Sequence, residues 1–323
     1  MPKLKQNLAN INIAGAVRVD EPMAEHTTFR VGGPADVYVR PQSVDDVQQV
    51  LKLGRREGVR VFTLGGGANI LVADAGIRGI VMDMRDFAEI SVLERHGVDG
   101  QDGARAPKSG ATHRARIGAG LPVSDAAAEL ADRGLAGLDF LYAMPGSVGG
   151  AVWMNARCYG SSIIDVLEEV DIVTTEGDFR TYLPQDGDFD YKVSPFQTNG
   201  AVILAATIRL REEEPAAIWK RMRDHEEDRT TKGHFSGPSA GSVFKNNRAF
   251  GRPSGKIIDS LGLRGYQIGG ARISDRHANI IINTGTATAR DIRELIEFVE
   301  KRVEERLGLR LEREVLYAGE WGS

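Results

Sequence analysis

"VFTLGGGANILV", Val61 to Val72, decides how the rest of the chain is read. A short apolar run that stops at glycine predicts a strand, here ending at Gly65, Gly66 and Gly67. Without side chains, the backbone N–H groups at that corner can approach a partner closely. The spacing is not the dinucleotide fingerprint. Counted from Gly65, G-x-G-x-x-G needs a sixth-place glycine where Ile70 stands, and no Lys-Ser or Lys-Thr follows to make a phosphate loop. A tight turn between packed strands demands the same glycines, so both readings stay open here.

Upstream, "ADVYVRP" alternates apolar and polar residues and predicts a strand ending at Pro41. "SVDDVQQVLKLGRREG" predicts a helix with a Ser43–Asp46 capping box, an apolar face of Val44, Val47, Val50 and Leu51, and a stop at Gly58. With "VRVFTL" these make a βαβ unit. Downstream, "GIVMDM" opens a second region, and the polar run "VDGQDGARAPKSGATHR" reads as an exposed loop. "ARIGAG" leads to a helix capped by Ser124 and stopped at Gly134, and "LEEVDIVTTEGDFRTYL" reads as two strands joined at Glu176-Gly177-Asp178. A third region holds the polar helix "AAIWKRMRDHEED" and an amphipathic helix capped by Thr288 and Asp291. That second helix carries a stripe of Ile292, Leu295, Ile296, Val299, Val303 and Leu307, ends at Gly308, and is followed by "LEREVLYAG" as a last strand. Strands outnumber helices in the middle, so the fold class is α+β and not doubly wound.

With 323 residues the chain can build two or three cores. Forty-one basic against 45 acidic side chains leave a net charge of −4, which argues against a nucleic-acid partner. A single cysteine, Cys158, rules out an intrachain disulfide. The opening "MPKLKQNLANINIAGAVRVDEP" lacks the apolar run of a signal peptide, and no stretch is long enough for a membrane span, so a cytoplasmic protein is expected. His26, His96, His113, His225, His234 and His277 show no helical zinc spacing, and no metal is expected.

Chemistry concentrates in a few places. "TTFRVGGPAD", "TLGGGANILV" and "MPGSVGGAVWMNARCYG" each set paired glycines beside small or hydroxyl side chains, as backbone donors to a pyrophosphate require. "SAGSVFKNN" puts Ser242 after a flexible glycine and before Lys245, Asn246 and Asn247, a proton donor beside groups able to hold an anion. "LEREV" places Glu312 and Glu314 two apart, on one face if the segment is a strand.

In this order, "EHTTFRVGGPAD", "LGGGANILV", "MPGSVGGAVWMNA", "YKVSPF", "SAGSVFKN", "IIDSLGLRGYQIGGA", "HANIIIN" and "LEREVLYAG" resemble the UDP-N-acetylenolpyruvoylglucosamine reductases over nearly the whole length. The resemblance implies a two-lobed FAD-binding domain of the p-cresol methylhydroxylase/vanillyl-alcohol oxidase type plus a C-terminal α+β substrate domain. Its lobes would be residues 1–80 joined by 309–323, then 81–212, with 213–308 as the substrate domain. It implies that Gly65, Gly66, Gly67, Ala68, Asn69 and Ile70 line the FAD pyrophosphate, and that Gly146, Ser147, Gly149 and Gly150 close over the flavin. It implies further that NADPH reduces the flavin at N5, that the β-carbon of UDP-N-acetylglucosamine enolpyruvate takes the hydride, and that Ser242 protonates the α-carbon while Glu314 orients the carboxylate or the proton path. Lys232, Asn246, Lys256 and Gln267 fall at sugar-nucleotide positions. The family's "YRxS" reads "YKVS" here, so Lys192 stands for the usual arginine. The short stretch between "YKVS" and "SAGS" resembles the branch without the extra tyrosine loop. One shared site for both substrates and a monomer are expected. Two alternatives remain: a related flavin oxidase, for which His26 or Cys158 could carry covalent flavin, and a non-catalytic flavin-binding protein.

Overall fold

The computed structural model describes Lys5 and residues 12–94 and 113–322. Most of the polar run expected as an exposed loop, and His96 with it, lies outside the described residues. The chain forms two compact units, neither contiguous in sequence. The first comprises Met1–Arg18, Tyr38–Gly66 and Ile80–Glu226, and the second Val19–Val37, Gly67–Gly79 and Glu227–Ser323.

An antiparallel sheet dominates the first unit. Its strands lie in the order Phe179–Tyr182, Leu167–Val173, Val202–Glu212, His113–Gly118, Ile90–Glu94, and Leu135–Ala136 pairs with the far end of Val202–Glu212. Val202–Glu212 is central because nearly every residue in it is buried, so no polar face has to reach water. The expected turn at Glu176-Gly177-Asp178 joins the outer pair, with Gly177 at φ 96°. Val123–Asp132 and Val148–Trp153 are helices whose Val123, Ala127, Leu130, Val148 and Val152 join Ile117, Val170 and Ile208 in one core.

The helix Val44–Glu57 has the capping box read from Ser43 and Asp46, and Gly58 ends it in the left-handed region. Val47 and Val50 are buried, joined by Leu53, with Leu51 only half covered. The expected βαβ unit is opened by one strand. The sheet order is Val17–Pro22, Pro34–Val39, Ile77–Asp83, Val61–Leu64, so Ile77–Asp83 lies between the two strands the helix connects. Val61–Leu64 and Ile77–Asp83 run parallel, with Leu64 opposite Asp83. Ser124 does not cap its helix. Pro122 occupies the cap position, and the Ser124 hydroxyl donates to the Met144 carbonyl at 3.1 Å.

The second unit is built on the helix Ala289–Leu307. Thr288 and Asp291 bond reciprocally at its start, and Gly308 ends it at φ 67°. Its stripe packs with Phe29, Val31, Leu71, Val243, Phe244 and Ile257. Gln267–Ile268, Ala271–Ile273 and Ile281–Asn283 form a small antiparallel sheet, and Leu316–Ala318 runs parallel to Ile70–Val72. The last strand is therefore shorter than "LEREVLYAG" predicts. Upstream of Leu316 only an isolated bridge, Phe244 to Arg313, is made.

Candidate functional site

Within the first unit, two of the glycine segments meet backbone to backbone. A Cβ on Gly65 would stand 2.6 Å from the Ser147 hydroxyl, and one on Gly66 would stand 2.6 Å from the Gly146 Cα. Ser147, 4% exposed, accepts from the Gly150 amide at 3.3 Å and so caps the helix Val148–Trp153. Gly149 donates to the Ala119 carbonyl at 2.8 Å, and its own Cβ would crowd the Ala119 side chain at 2.8 Å. Close packing accounts for glycine at 65, 66 and 149. Gly150 differs. It is exposed, and a Cβ there would meet nothing nearer than Ser147 Oγ at 3.5 Å. Bare backbone at the exposed Gly150 fits a large flat ligand held against peptide groups.

The boundary between the units falls after Gly66. In the second unit Gly67 is left-handed at φ 61°, a Cβ there would strike the His26 carbonyl at 2.0 Å, and its own carbonyl accepts from the Thr28 amide at 3.1 Å. "TTFRVGG" and the end of the glycine run thus meet. The Asn69 side chain donates to the Glu314 carbonyl at 3.0 Å, and the Asn69 carbonyl accepts from the Leu316 amide at 3.0 Å.

That contact leads to Ser242. The segment Ser242–Lys245 is irregular and clasped on both sides. Ser242 bridges to Ile280, the Val243 amide donates to the Asn279 carbonyl at 2.9 Å, and the Glu314 amide donates to the Val243 carbonyl at 2.7 Å. Asn279 finishes the clasp, taking the Phe244 amide at 3.0 Å and giving to the Phe244 carbonyl at 2.9 Å. Ser242 and Glu314, 72 residues apart in sequence, are placed on neighbouring segments, both half-buried. Glu312 does not share a regular strand face with Glu314, because the segment is irregular there. It is exposed, and its carboxylate takes the Lys245 ammonium at 2.6 Å.

The polar cluster after Ser242 is more occupied than its composition suggests. Lys245 is held by Glu312, Asn246 Oδ1 accepts from the Ser254 amide at 2.9 Å, and Asn247 caps the turn Arg248–Phe250 through the Ala249 amide at 2.9 Å. Lys232 is exposed and pairs with Asp228 at 2.6 Å, one helical turn away. Lys256 is exposed on the helix Ser254–Asp259, and Gln267 donates to the Gly269 carbonyl at 2.7 Å.

Two histidines passed over in the sequence lie among these lysines. His234 and His277 have ring centroids 5.2 Å apart. Burial pushes His234 down to about 4, helped by the positive charges of Arg229 and Lys232. Burial lowers His277 as well, and Lys232 and Lys256 both push it the same way. The field at His277 thus ties together two lysines that the sequence separates. Their signal in the sequence was adjacency, His234 two residues after Lys232 and His277 two before Asn279, which spacing rules for metal sites do not weigh. Among the described residues Glu21, Glu25 and His26 bring potential ligand atoms within 4.8 Å of one another, with His26 Nε2 2.8 Å from Glu21 Oε1.

In the first unit Lys192 is half-buried and left-handed, at φ 60°. It sits in a two-residue turn closed by reciprocal bonds between Asp190 and Val193 at 3.2 and 3.0 Å.

Comparison with known proteins covers nearly the whole chain. Residues 35–182 match the profile of an FAD-binding domain, and residues 232–318 match that of the C-terminal domain of UDP-N-acetylenolpyruvoylglucosamine reductase. Proteins of that name from Oceanobacillus iheyensis and Bacillus subtilis are 40% and 35% identical to it. The alignments cover 98% and 99% of this chain, and 97% and 99% of theirs. The crystal structure of the Thermus caldophilus UDP-N-acetylenolpyruvylglucosamine reductase aligns over 95% of this chain and 100% of its own. Its TM-score is 0.75, at 30% identity. The glycine turns of the first unit lie in or beside the stretch matched to FAD binding, and the Ser242–Glu314 pairing lies inside the stretch matched to the reductase C-terminal domain. The chain belongs to the UDP-N-acetylenolpyruvoylglucosamine reductases, FAD-containing oxidoreductases.

Proposed function

We propose that this protein uses NADPH to reduce UDP-N-acetylglucosamine enolpyruvate to UDP-N-acetylmuramate, a peptidoglycan precursor, with Ser242, Glu314 and Lys192 serving the substrate. The observation that carries the reading is the pairing of the Ser242 segment with the Glu314 segment through the Val243 carbonyl. FAD, when bound, supplies a two-electron relay between NADPH and the enolpyruvyl group. The backbone of Gly65, Gly66, Gly67, Ala68, Asn69 and Ile70, with Gly146, Ser147, Gly149 and Gly150, would line it. The bare, exposed backbone at Gly150 fits that role.

The β-carbon of the enolpyruvyl ether takes a hydride, and the electron pair of the double bond moves to the α-carbon and into the carboxylate. Ser242 Oγ gives its proton to the α-carbon. A hydroxyl is a weak acid, yet an α-carbanion is far more basic, so the transfer runs downhill. Glu314 steers the carboxylate or the returning proton. Lys192 offsets the developing charge. A cation about 4 Å away contributes roughly 4 kcal/mol at an effective dielectric near 20. Lysine does this without arginine's rigid fork. Lys232, Asn246, Lys256 and Gln267 hold the sugar nucleotide, and the lobes follow the division 1–80 with 309–323, 81–212 and 213–308.

The reading takes the protein as a cytoplasmic monomer in which the two substrates use one site in turn. Among the described residues no helix is long and apolar enough to cross a membrane. An anaerobic titration of the FAD-loaded protein tests the reading. NADPH is expected to bleach the flavin band, and one equivalent of the enolpyruvyl substrate to restore it. A band restored only by oxygen would favour the oxidase, and a band that NADPH leaves untouched would favour the non-catalytic binder. Parallel double-reciprocal lines are expected for the shared site, and converging ones would count against it.

A further inference from the structure

Lys192 stands where a two-residue turn usually carries glycine or asparagine, since φ there is positive. A long side chain with a strained backbone stays put only if its surroundings hold it. The surroundings are unusually specific. The Gln197 side-chain amide donates to the Lys192 carbonyl at 3.0 Å and to the Trp153 carbonyl at 2.9 Å. Ser194 Oγ donates to the same Trp153 carbonyl at 2.6 Å, and the Trp153 indole donates to the Phe196 carbonyl at 3.1 Å. Asn155, 4% exposed and itself left-handed at φ 43°, donates to the Asp190 carbonyl at 2.8 Å. Apart from the Gln197–Lys192 bond, each of these ties the segment 190–197 to Trp153 or Asn155, which end or directly follow the helix Val148–Trp153. The opposite end of that helix is Ser147, packed against Gly65.

Gln197 is the link between the two segments. It faces two carbonyls, so its amide nitrogen and not its oxygen must point at them, and neither a carboxylate nor a thioether could do the same. We infer that Gln197 is a positioning residue, which holds the Lys192 turn on the glycine-bearing helix and so sets where the lysine ammonium meets charge on the substrate. The inference rests on the role proposed above for Lys192.

Gln197→Met keeps the length and removes the donors, and Gln197→Glu turns them into repelling oxygens. Gln197→Met decides should the charged variant fail to fold. In the FAD-loaded, NADPH-reduced enzyme, reoxidation by the enolpyruvyl substrate is expected to slow by about 10- to 100-fold, the cost of a misplacement on the order of 1 Å. In a Lys192→Met background the same change at 197 should add less than about twofold, because coupled groups are not additive. Hydrogen exchange supplies a second readout, free of catalysis. Amides of 191–194 should exchange about tenfold faster in Gln197→Met, and those of Val202–Glu212 should not change. Unaltered exchange at 191–194, or an equal rate loss with and without Lys192, would overturn the inference. If the wild-type flavin is not reoxidised by this substrate at all, the proposed reaction fails, and the exchange measurement still decides whether Gln197 holds the turn.

Discussion

Lys192 and His234 are the two residues whose surroundings say most about their behaviour. Lys192→Met is expected to slow substrate-driven flavin reoxidation by about 10²–10³-fold, the usual cost of a lost oxyanion-type contact. A change within twofold would remove Lys192 from the chemistry. His234 makes a prediction about stability. Its ordinary value of 6.5 falls to about 4 in the folded protein because burial disfavours the charged ring. The unfolded chain therefore binds this proton more readily than the native one between those two values. Stability should be full above about pH 6.5 and decline as pH drops toward 4. His234→Gln is expected to flatten that part of the curve relative to wild type, read as melting temperature against pH. The "YKVS" resemblance singled out Lys192, but the surroundings of neither residue were legible in the sequence. A positive φ at lysine and a histidine pair made across 43 residues are products of tertiary packing.

At the scale of elements, the long helix was the most legible. Its caps and stripe are local, and Thr288, Asp291, Gly308 and the buried Leu295 all stand where periodicity puts them. Thr288→Ala should cost about 1 kcal/mol through the lost cap. Leu295→Ala, at a fully buried position, should cost about 2–5 kcal/mol. Equilibrium denaturation of both variants checks the ordering, and a Leu295→Ala no weaker than Thr288→Ala would show that the stripe is not the anchor. The misread elements share a cause. Ile77–Asp83 enters the sheet between strands that a βαβ reading makes neighbours, and hydrophobic pattern carries no strand order. "LEREV" alternates like a strand but receives only one bridge and scattered bonds, since its partners are the irregular Ser242–Lys245 segment. Pro122 holds the cap position in place of Ser124, whose hydroxyl is spent on the distant Met144 carbonyl. Of the candidate site, the glycine turns were legible because close backbone approach leaves a compositional mark. The Gln197 tie was not, because an amide bonded to two distant carbonyls leaves none.

Across the whole molecule, the chain passes between its units after Arg18, Val37, Gly66, Gly79 and Glu226. The C-terminal segment is therefore not a self-sufficient domain, although its own family profile covers much of it. Its core includes Phe29, Val31 and Leu71 from the early part of the chain. Residues 227–323 expressed alone are expected to show no cooperative unfolding transition, and co-expression with 1–226 should restore one. A sharp melt of the isolated fragment would contradict the shared core. The same interleaving sets an order of events at the ribosome. Val19–Val37 and Gly67–Gly79 leave the exit tunnel long before the helix that covers them has been translated. Until that helix has emerged, the nascent polypeptide carries uncovered aromatic and aliphatic side chains of the kind that holdase chaperones bind.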